Sequence, residues 1–151
     1  MSTTKKIILV PTDFSESAES ALAYAITLAK STDHSIVLMY AYQTPTITPY
    51  DGPLVANGDV LTAIEVGVKQ GLAEVLAKHK DCGIEIRTCL EHGDPKECVL
   101  RAAKEVGADL IVMGTHGRHG VARLLLGSVT ESVVRTASIP VLTVRAALAS
   151  S

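Results

Sequence analysis

The sequence predicts an α/β fold, an open five-stranded parallel sheet with helices on both faces in the Rossmann-like manner. Two observations carry that expectation. Short runs rich in Ile, Val and Leu recur along the chain, and the segments between them carry apolar residues at helical spacing. Strand and helix alternating in this way leave a parallel sheet with crossover helices as the simplest architecture. A third observation sets the scale. At 151 residues, 47% apolar and 20% charged, the chain suits one ordinary core, so residues 1–151 read as a single domain without internal repeats.

Each element has its own warrant. Lys6 to Val10 is a continuous apolar run, expected as a buried strand. Ser15 to Ser31 places Ala18, Ala21, Leu22, Ala25 and Ala29 on one helical stripe, thickened by Ile26 and Leu28. Ser35 to Tyr42 is the second strand. Gln43 to Gly58 follows, punctuated by Pro45, Pro49, Gly52 and Pro53 and without a period of its own. A loop that long inside a domain is usually functional, and it is the lid candidate. Asp59 is placed to cap the next helix, whose face runs through Leu61, Ile64, Val68, Leu72, Val75 and Leu76 to about Lys80. Gly67 and Gly71 interrupt it, each lowering helix propensity by roughly 1 kcal/mol relative to Ala.

Ile84 to Leu90 alternates as a third strand. Asp94-Pro95-Lys96-Glu97 is a helix start with Asp as N-cap and Pro at the first position, and that helix runs to Val106 before Gly107. Asp109 to Met113 is the fourth strand. Ser128 to Ala137 is the last helix, with Val129, Val133, Val134 and Ala137 inward, and Pro140 to Arg145 is the fifth strand. Ala146 to Ser151 reads as a frayed tail.

Composition excludes several functions. A formal charge of −2 supplies no basic field for nucleic acid, and aromatics at 3% interleave with no basic run. No apolar run approaches the length of a membrane span, and Met1 to Lys6 is no signal peptide, so a cytoplasmic location is expected. Cys82, Cys89 and Cys98 lack CxxC spacing and read as reduced, partly buried thiols; a redox sensor would need a depressed thiol pKa.

The chemistry concentrates after the fourth strand. Met113 leads into Gly114-Thr115-His116-Gly117, and nine residues later come Gly127 and Ser128 at a helix start. Glycines there let backbone N–H groups approach a phosphate chain, and the helix adds its positive dipole end. Neither the Walker A spacing nor the dinucleotide fingerprint is present. The competing reading is a flexible Gly-rich connection with Ser128 as a cap, since Ser128-x-x-Glu131 matches a capping box. That reading leaves Gly114, Gly117, Gly120 and Gly127, together with His116, Arg118, His119 and Arg123, without a purpose. Arg118 and Arg123 suit charge-assisted phosphate contacts, or else are solvated loop charges. His116 and His119 make a poor metal site and suit phosphate contact or solvent.

Pro11-Thr12-Asp13 closes the first strand. If strands 1 and 4 are neighbours where the sheet connections reverse, Asp13 faces Gly114 across the crevice and accepts from a ribose hydroxyl or an exocyclic amine. The alternative is that Asp13 is only an N-cap, because Asp13-x-x-Glu16 is itself a capping-box spacing. No nucleophile, base and orienting group assemble by spacing, which points to binding rather than catalysis.

Pro11-Thr12-Asp13, the run Ala108 to Gly117, Gly127-Ser128 and the terminal Pro140 to Val144 together resemble the universal stress protein (UspA-type) family over Lys5 to Arg145. The resemblance implies strand order 3-2-1-4-5 and, through G-x2-G-x9-G-[ST], the family's ATP-binding branch. It places Asp13 with its neighbours Pro11 and Thr12 at adenine and ribose, and Ala41 near adenine where the family commonly has Val. Gly114 would lie against the ribose, and Gly117, Gly127, Ser128 and Val129 would hold the phosphates. The candidate nucleotide-binding set read from the residues themselves also takes in Met113, His116, Arg118, His119, Gly120 and Thr130. It further implies a homodimer joined through Pro140 to Arg145, which agrees with the uncovered apolar edge that Val141, Leu142 and Val144 would form. The expected function is a cytoplasmic ATP-binding stress or regulatory protein, with Mg²⁺ neutralising phosphate charge and a regulatory protein partner. The alternative is a slow ATPase or nucleotidyl-transfer enzyme on the same scaffold.

Overall fold

Residues 4–44, 46–47, 54–55, 58–116 and 126–146 are described by the computed structural model. Strand β1 (Lys6–Pro11) feeds helix α1 (Glu16–Thr32) and strand β2 (His34–Tyr42). Two short strands, β3 (Thr46–Ile47) and β4 (Leu54–Val55), precede helix α2 (Gly58–Lys78) and strand β5 (Ile86–His92). Helix α3 (Pro95–Val106), strand β6 (Leu110–Gly114), helix α4 (Ser128–Thr136) and strand β7 (Val141–Val144) complete the order. The main sheet is five-stranded with order β5-β2-β1-β6-β7, every pairing parallel. Counting only its own strands in sequence, that order is the expected 3-2-1-4-5.

Alternation along the buried strands divides the core in two. Ile8 and Val10 of β1, with Ile36, Leu38 and Val112, face Ala21, Leu22, Ala25 and Ile26 of α1 and Val68 and Leu72 of α2. Leu9, Val37, Met39, Ile111 and Met113 face the other way, onto Cys98, Val99 and Ala102 of α3 and Val133 of α4. The small residues on α1 bring it close to the sheet: Ala21, Ala25 and Ala29 are all fully buried.

Several expectations shift. The segment Gln43 to Gly58 holds an antiparallel pairing of β3 with β4 (Thr46↔Val55, Ile47↔Leu54), too short to leave a period in the sequence. The lid reading of the rest of that segment lies outside the described residues. Helix α2 begins at Gly58, so Asp59 sits inside its first turn and is not its cap. The third strand of the main sheet starts at Ile86 rather than Ile84 and runs on to His92, because β2 supplies partners as far as Tyr42↔His92. Val134, expected inward, is 44% exposed; Val133 is the α4 valine that reaches the core. Helix α3 matches its sequence signature: Asp94 is the N-cap, accepting from the Glu97 N–H at 3.3 Å, and Gly107 closes the helix at φ 67°.

Candidate nucleotide site

The chain leaves β1 through α1 toward β2 and returns from β5 through α3 to β6, on the opposite side of β1. The connections therefore diverge between β1 and β6, and the crevice at the carboxyl ends of those strands is where open α/β sheets take ligands. Ile8 stands beside Leu110 and Leu9 beside Ile111. Beyond that pair β1 runs on to Pro11 and β6 to Gly114, so Thr12 and Asp13 follow one strand end and Thr115 the other. On the other flank, the Thr12 N–H donates to the Met39 carbonyl at 2.8 Å, and Ala41 lies two residues further along β2.

On the β1 side the helix cap decides the geometry. Ser15, not Asp13, is the N-cap of α1: its hydroxyl accepts from the Ala18 N–H at 3.2 Å. Asp13 stands two residues outside the helix and accepts the Ser15 N–H through Oδ1 at 3.0 Å. The capping-box alternative for Asp13 is thereby replaced by an Asx turn just beyond the end of β1. Thr12 contributes in the same manner, its Oγ1 accepting the Phe14 N–H at 3.1 Å.

On the β6 side the strand end is tied to α4. The Gly127 N–H donates to the Thr115 carbonyl at 2.6 Å, and the buried Thr130 hydroxyl donates to the Gly114 carbonyl at 2.8 Å. Gly127 is the N-cap of α4, in extended backbone (φ −70°, ψ 162°), and it contributes no side-chain cap. Ser128 is the first helical residue, so the capping box expected of Ser128 and Glu131 does not form; Glu131 pairs with Arg135 at 2.8 Å instead. Any residue could adopt the Gly127 backbone angles, so the absent side chain is not explained by conformation. A helix start of this kind, beside the end of β6, presents backbone N–H groups and the positive end of its dipole, which suit an anion. His116 extends the strand end, its N–H donating to the Ser17 hydroxyl at 3.3 Å and its Nδ1 lying 3.0 Å from the Thr115 hydroxyl.

Gly114 has a structural reason that the sequence does not reveal. A Cβ there would stand 2.3 Å from Ser17 Oγ, 2.7 Å from Ser17 C and 2.8 Å from Ser17 O. Helix α1 crosses the strand end so closely that only glycine fits, whatever lies in the crevice. Val129 is partly buried against the α3–α4 face of the core. Gly117, Arg118, His119, Gly120 and Arg123 lie outside the described residues.

Sequence reasoning also missed a polar cluster beside the crevice, where β2 and β5 end. The Tyr42 hydroxyl donates to Glu65 of α2, the Tyr42 ring meets His92 edge-on at 5.0 Å, and His92 Nε2 lies 2.7 Å from the Thr44 hydroxyl. The Glu65 carboxylate, as acceptor, holds the Tyr42 phenol above its ordinary pKa. Below it, Arg101 bridges to Glu91 at 2.9 Å. No spacing rule connects Tyr42, Glu65 and His92; only the sheet register does.

The cysteines are reduced, with Cys98 buried and Cys82 and Cys89 partly buried, as the sequence suggests. Burial, reinforced by the Glu91 carboxylate that accepts its S–H, pushes the Cys89 thiol up to about 11. Burial also raises Cys98, against the opposing pull of Arg101. Both shifts run opposite to the one a redox-sensing thiolate needs.

Comparison with known proteins agrees with this architecture. The universal stress protein family profile matches residues 5–145. Universal stress protein MJ0531 of Methanocaldococcus jannaschii is 36% identical over 143 residues, spanning 93% of this chain and 82% of the relative. Universal stress protein MJ0577 of the same organism is 33% identical over 160 residues, spanning 96% and 98%. The solved MJ0577 structure superposes with a TM-score of 0.78 at 25% identity, covering 97% of this chain and 100% of that one. A universal stress protein solved in complex with cAMP superposes at 0.69 with 26% identity, covering 96% and 100%. The chain belongs to the universal stress protein family.

Proposed function

We propose that this universal stress protein binds ATP in the crevice between β1 and β6 and acts as a nucleotide-dependent regulatory protein of the stress response, with little or no turnover. The observation that carries the reading is the junction of β6 and α4. A helix start with a glycine cap and no capping side chain is pinned to the strand end by Gly127 and Thr130, at the end of the strand that neighbours β1. Backbone amides and a helix dipole suit an anionic phosphate chain, and a carboxylate on the neighbouring strand suits the nucleoside. The relative solved with cAMP lends support, since it carries an adenine nucleotide on the same fold.

In this reading Asp13, with Pro11 and Thr12, meets adenine and ribose alongside Ala41. Gly114 lies near the ribose, and Gly127, Ser128, Val129 and Thr130 receive the phosphates together with His116 and the Gly117 to Gly120 segment. Mg²⁺ would travel with the phosphates: among the described residues no group of three or more His, Cys, Asp or Glu gathers to hold a metal. The protein works as a homodimer through Pro140 to Arg145; among the described residues β7 is an edge strand paired with β6 alone, which supports this reading. A cytoplasmic location and a regulatory protein partner complete the proposal.

The test is direct. Nucleotide released on denaturing the freshly purified protein should be identified by mass as adenine nucleotide. Calorimetry should then show ATP binding that Gly127→Val removes while the circular dichroism spectrum is retained. Unchanged affinity in Gly127→Val would refute the phosphate role, and saturable multiple-turnover phosphate release would favour an ATPase instead.

A further inference from the structure

Phe14 holds a conformation that costs energy. Its φ of 65° puts a bulky side chain in the left-handed region, which Gly, Asn and Asp ordinarily occupy. Among the described residues the other non-glycine with positive φ is Asp33, which caps α1, where such a conformation is usual. Glycine would relieve the strain at position 14, so the ring must be what the position uses.

That ring is held from two sides. It stacks on Tyr40 of β2, with centroids 5.0 Å apart and planes 26° from parallel. It also fills a notch on α2 that exists because residue 71 lacks a side chain. A Cβ at Gly71 would stand 2.7 Å from Phe14 Cζ and 3.0 Å and 3.3 Å from its two Cε atoms. A glycine in mid-helix and an aromatic residue at positive φ are each locally unfavourable, and the two meet at one contact. Phe14 itself belongs to the turn that carries Asp13. The Phe14 N–H is held by Thr12 Oγ1, and the next N–H, that of Ser15, by the Asp13 carboxylate.

We propose that Phe14 and Gly71 are positioning residues for the nucleoside half of the ligand: the Phe14 ring, locked between Tyr40 and the Gly71 notch of α2, fixes the turn that aims Asp13. The inference rests on the nucleotide-binding reading above and deepens it. It divides the site into a nucleoside half set by β1, β2 and α2, and a phosphate half set by β6 and α4. A methyl group at position 71 forces the ring to rotate or retreat. With Tyr40 behind it, that displacement passes to the backbone beside Asp13.

The experiment is calorimetry with ATP and with inorganic tripolyphosphate on wild type, Gly71→Ala, Phe14→Leu and the double variant, each checked for folding by circular dichroism. Gly71→Ala should weaken ATP binding about tenfold, the effect of a displaced rotamer carried to a hydrogen-bonding group, and leave tripolyphosphate binding unchanged. Leu lacks the Cε and Cζ atoms that meet position 71, so the double variant should bind ATP no more weakly than Phe14→Leu alone. Wild-type ATP affinity in a folded Gly71→Ala protein overturns the inference. So do equal losses for both ligands, which mean general loosening, and losses that simply add. Should Gly71→Ala fail to fold, Phe14→Leu must show the ATP-selective loss by itself, or the inference falls. Wild type that binds neither ligand overturns the nucleotide reading, and this inference with it.

Discussion

Gly114→Ala should destabilise the fold before any ligand is considered. The added Cβ would approach three atoms of Ser17 at 2.3, 2.7 and 2.8 Å, and two of the three, C and O, are backbone. A side-chain clash can be relieved by a rotamer change, but a backbone clash requires α1 and the end of β6 to part. Ser17 is buried, and Ala21 and Ala25 on the same helix are fully buried, so α1 cannot retreat without opening its own packing. The same movement lengthens the His116 N–H contact to the Ser17 hydroxyl, now 3.3 Å. Overpacking of this kind costs about 3 kcal/mol, the upper end of the usual range, because the obstacle is main chain. At a urea dependence of about 2 kcal/mol per molar, the unfolding midpoint should fall by about 1.5 M. Ser17→Ala in the same background removes only the 2.3 Å contact and should recover a minor part of the loss. A Gly114→Ala midpoint within about 0.3 M of wild type would refute the argument. Position 114 would then be glycine for the ligand alone.

Three further outcomes follow from the same structure. Gly127→Val should lower the urea midpoint by about 0.5 M, the cost of a poor N-cap residue at φ −70° and ψ 162°, angles that suit a β-branched side chain, while calorimetric ATP binding is lost. Asp94→Ala removes the side chain that accepts the Glu97 N–H, and should cost about 1 kcal/mol and about 3 °C in melting temperature. Cys89, at about 11 against an ordinary 9.0, favours the thiol in the folded state. Its folded pKa is raised, so its contribution to stability is complete below pH 9 and is lost as pH climbs toward 11. Urea titrations at these two pH values should show a larger drop in wild type than in Cys89→Ala, and an equal drop would contradict the shift.

The parts legible in the sequence are those where one physical signal acts locally. Asp94, Pro95 and Gly107 mark both ends of α3 because cap, first turn and left-handed stop are each a single-residue preference. The three central strands β1, β2 and β6 are legible because buried apolar runs of that length have few alternatives. Competition between neighbouring signals is where legibility fails. Asp13 and Ser15 both offer a cap to α1, and Gly127 and Ser128 both offer a start to α4; the backbone path, not residue type, chooses Ser15 and Gly127. Val133 and Val134 are chemically alike, and in a helix of nine residues the apolar stripe is too short to say which one faces the sheet. Contacts distant in sequence leave no trace at all. Gly71 reads as a weakness in α2 until Phe14 is seen in its notch, and Gly114 reads as a ligand glycine until Ser17 is seen against it.

That last case alters how the glycines of the site should be weighed. A motif glycine counts toward ligand binding only after its structural need is subtracted. Gly114 is fully accounted for by α1, so it says little about a phosphate. Gly127 has ordinary backbone angles and caps α4 without a side chain, so conformation alone does not demand glycine there as the clash with Ser17 does at Gly114. Thr115 sharpens the point, because its carbonyl accepts the Gly127 N–H at 2.6 Å while its own N–H donates to the Val144 carbonyl at 3.0 Å. One peptide-linked residue thus holds the helix start and the edge strand in fixed relation. Among the described residues that frame includes β7, one of the two edge strands of the sheet.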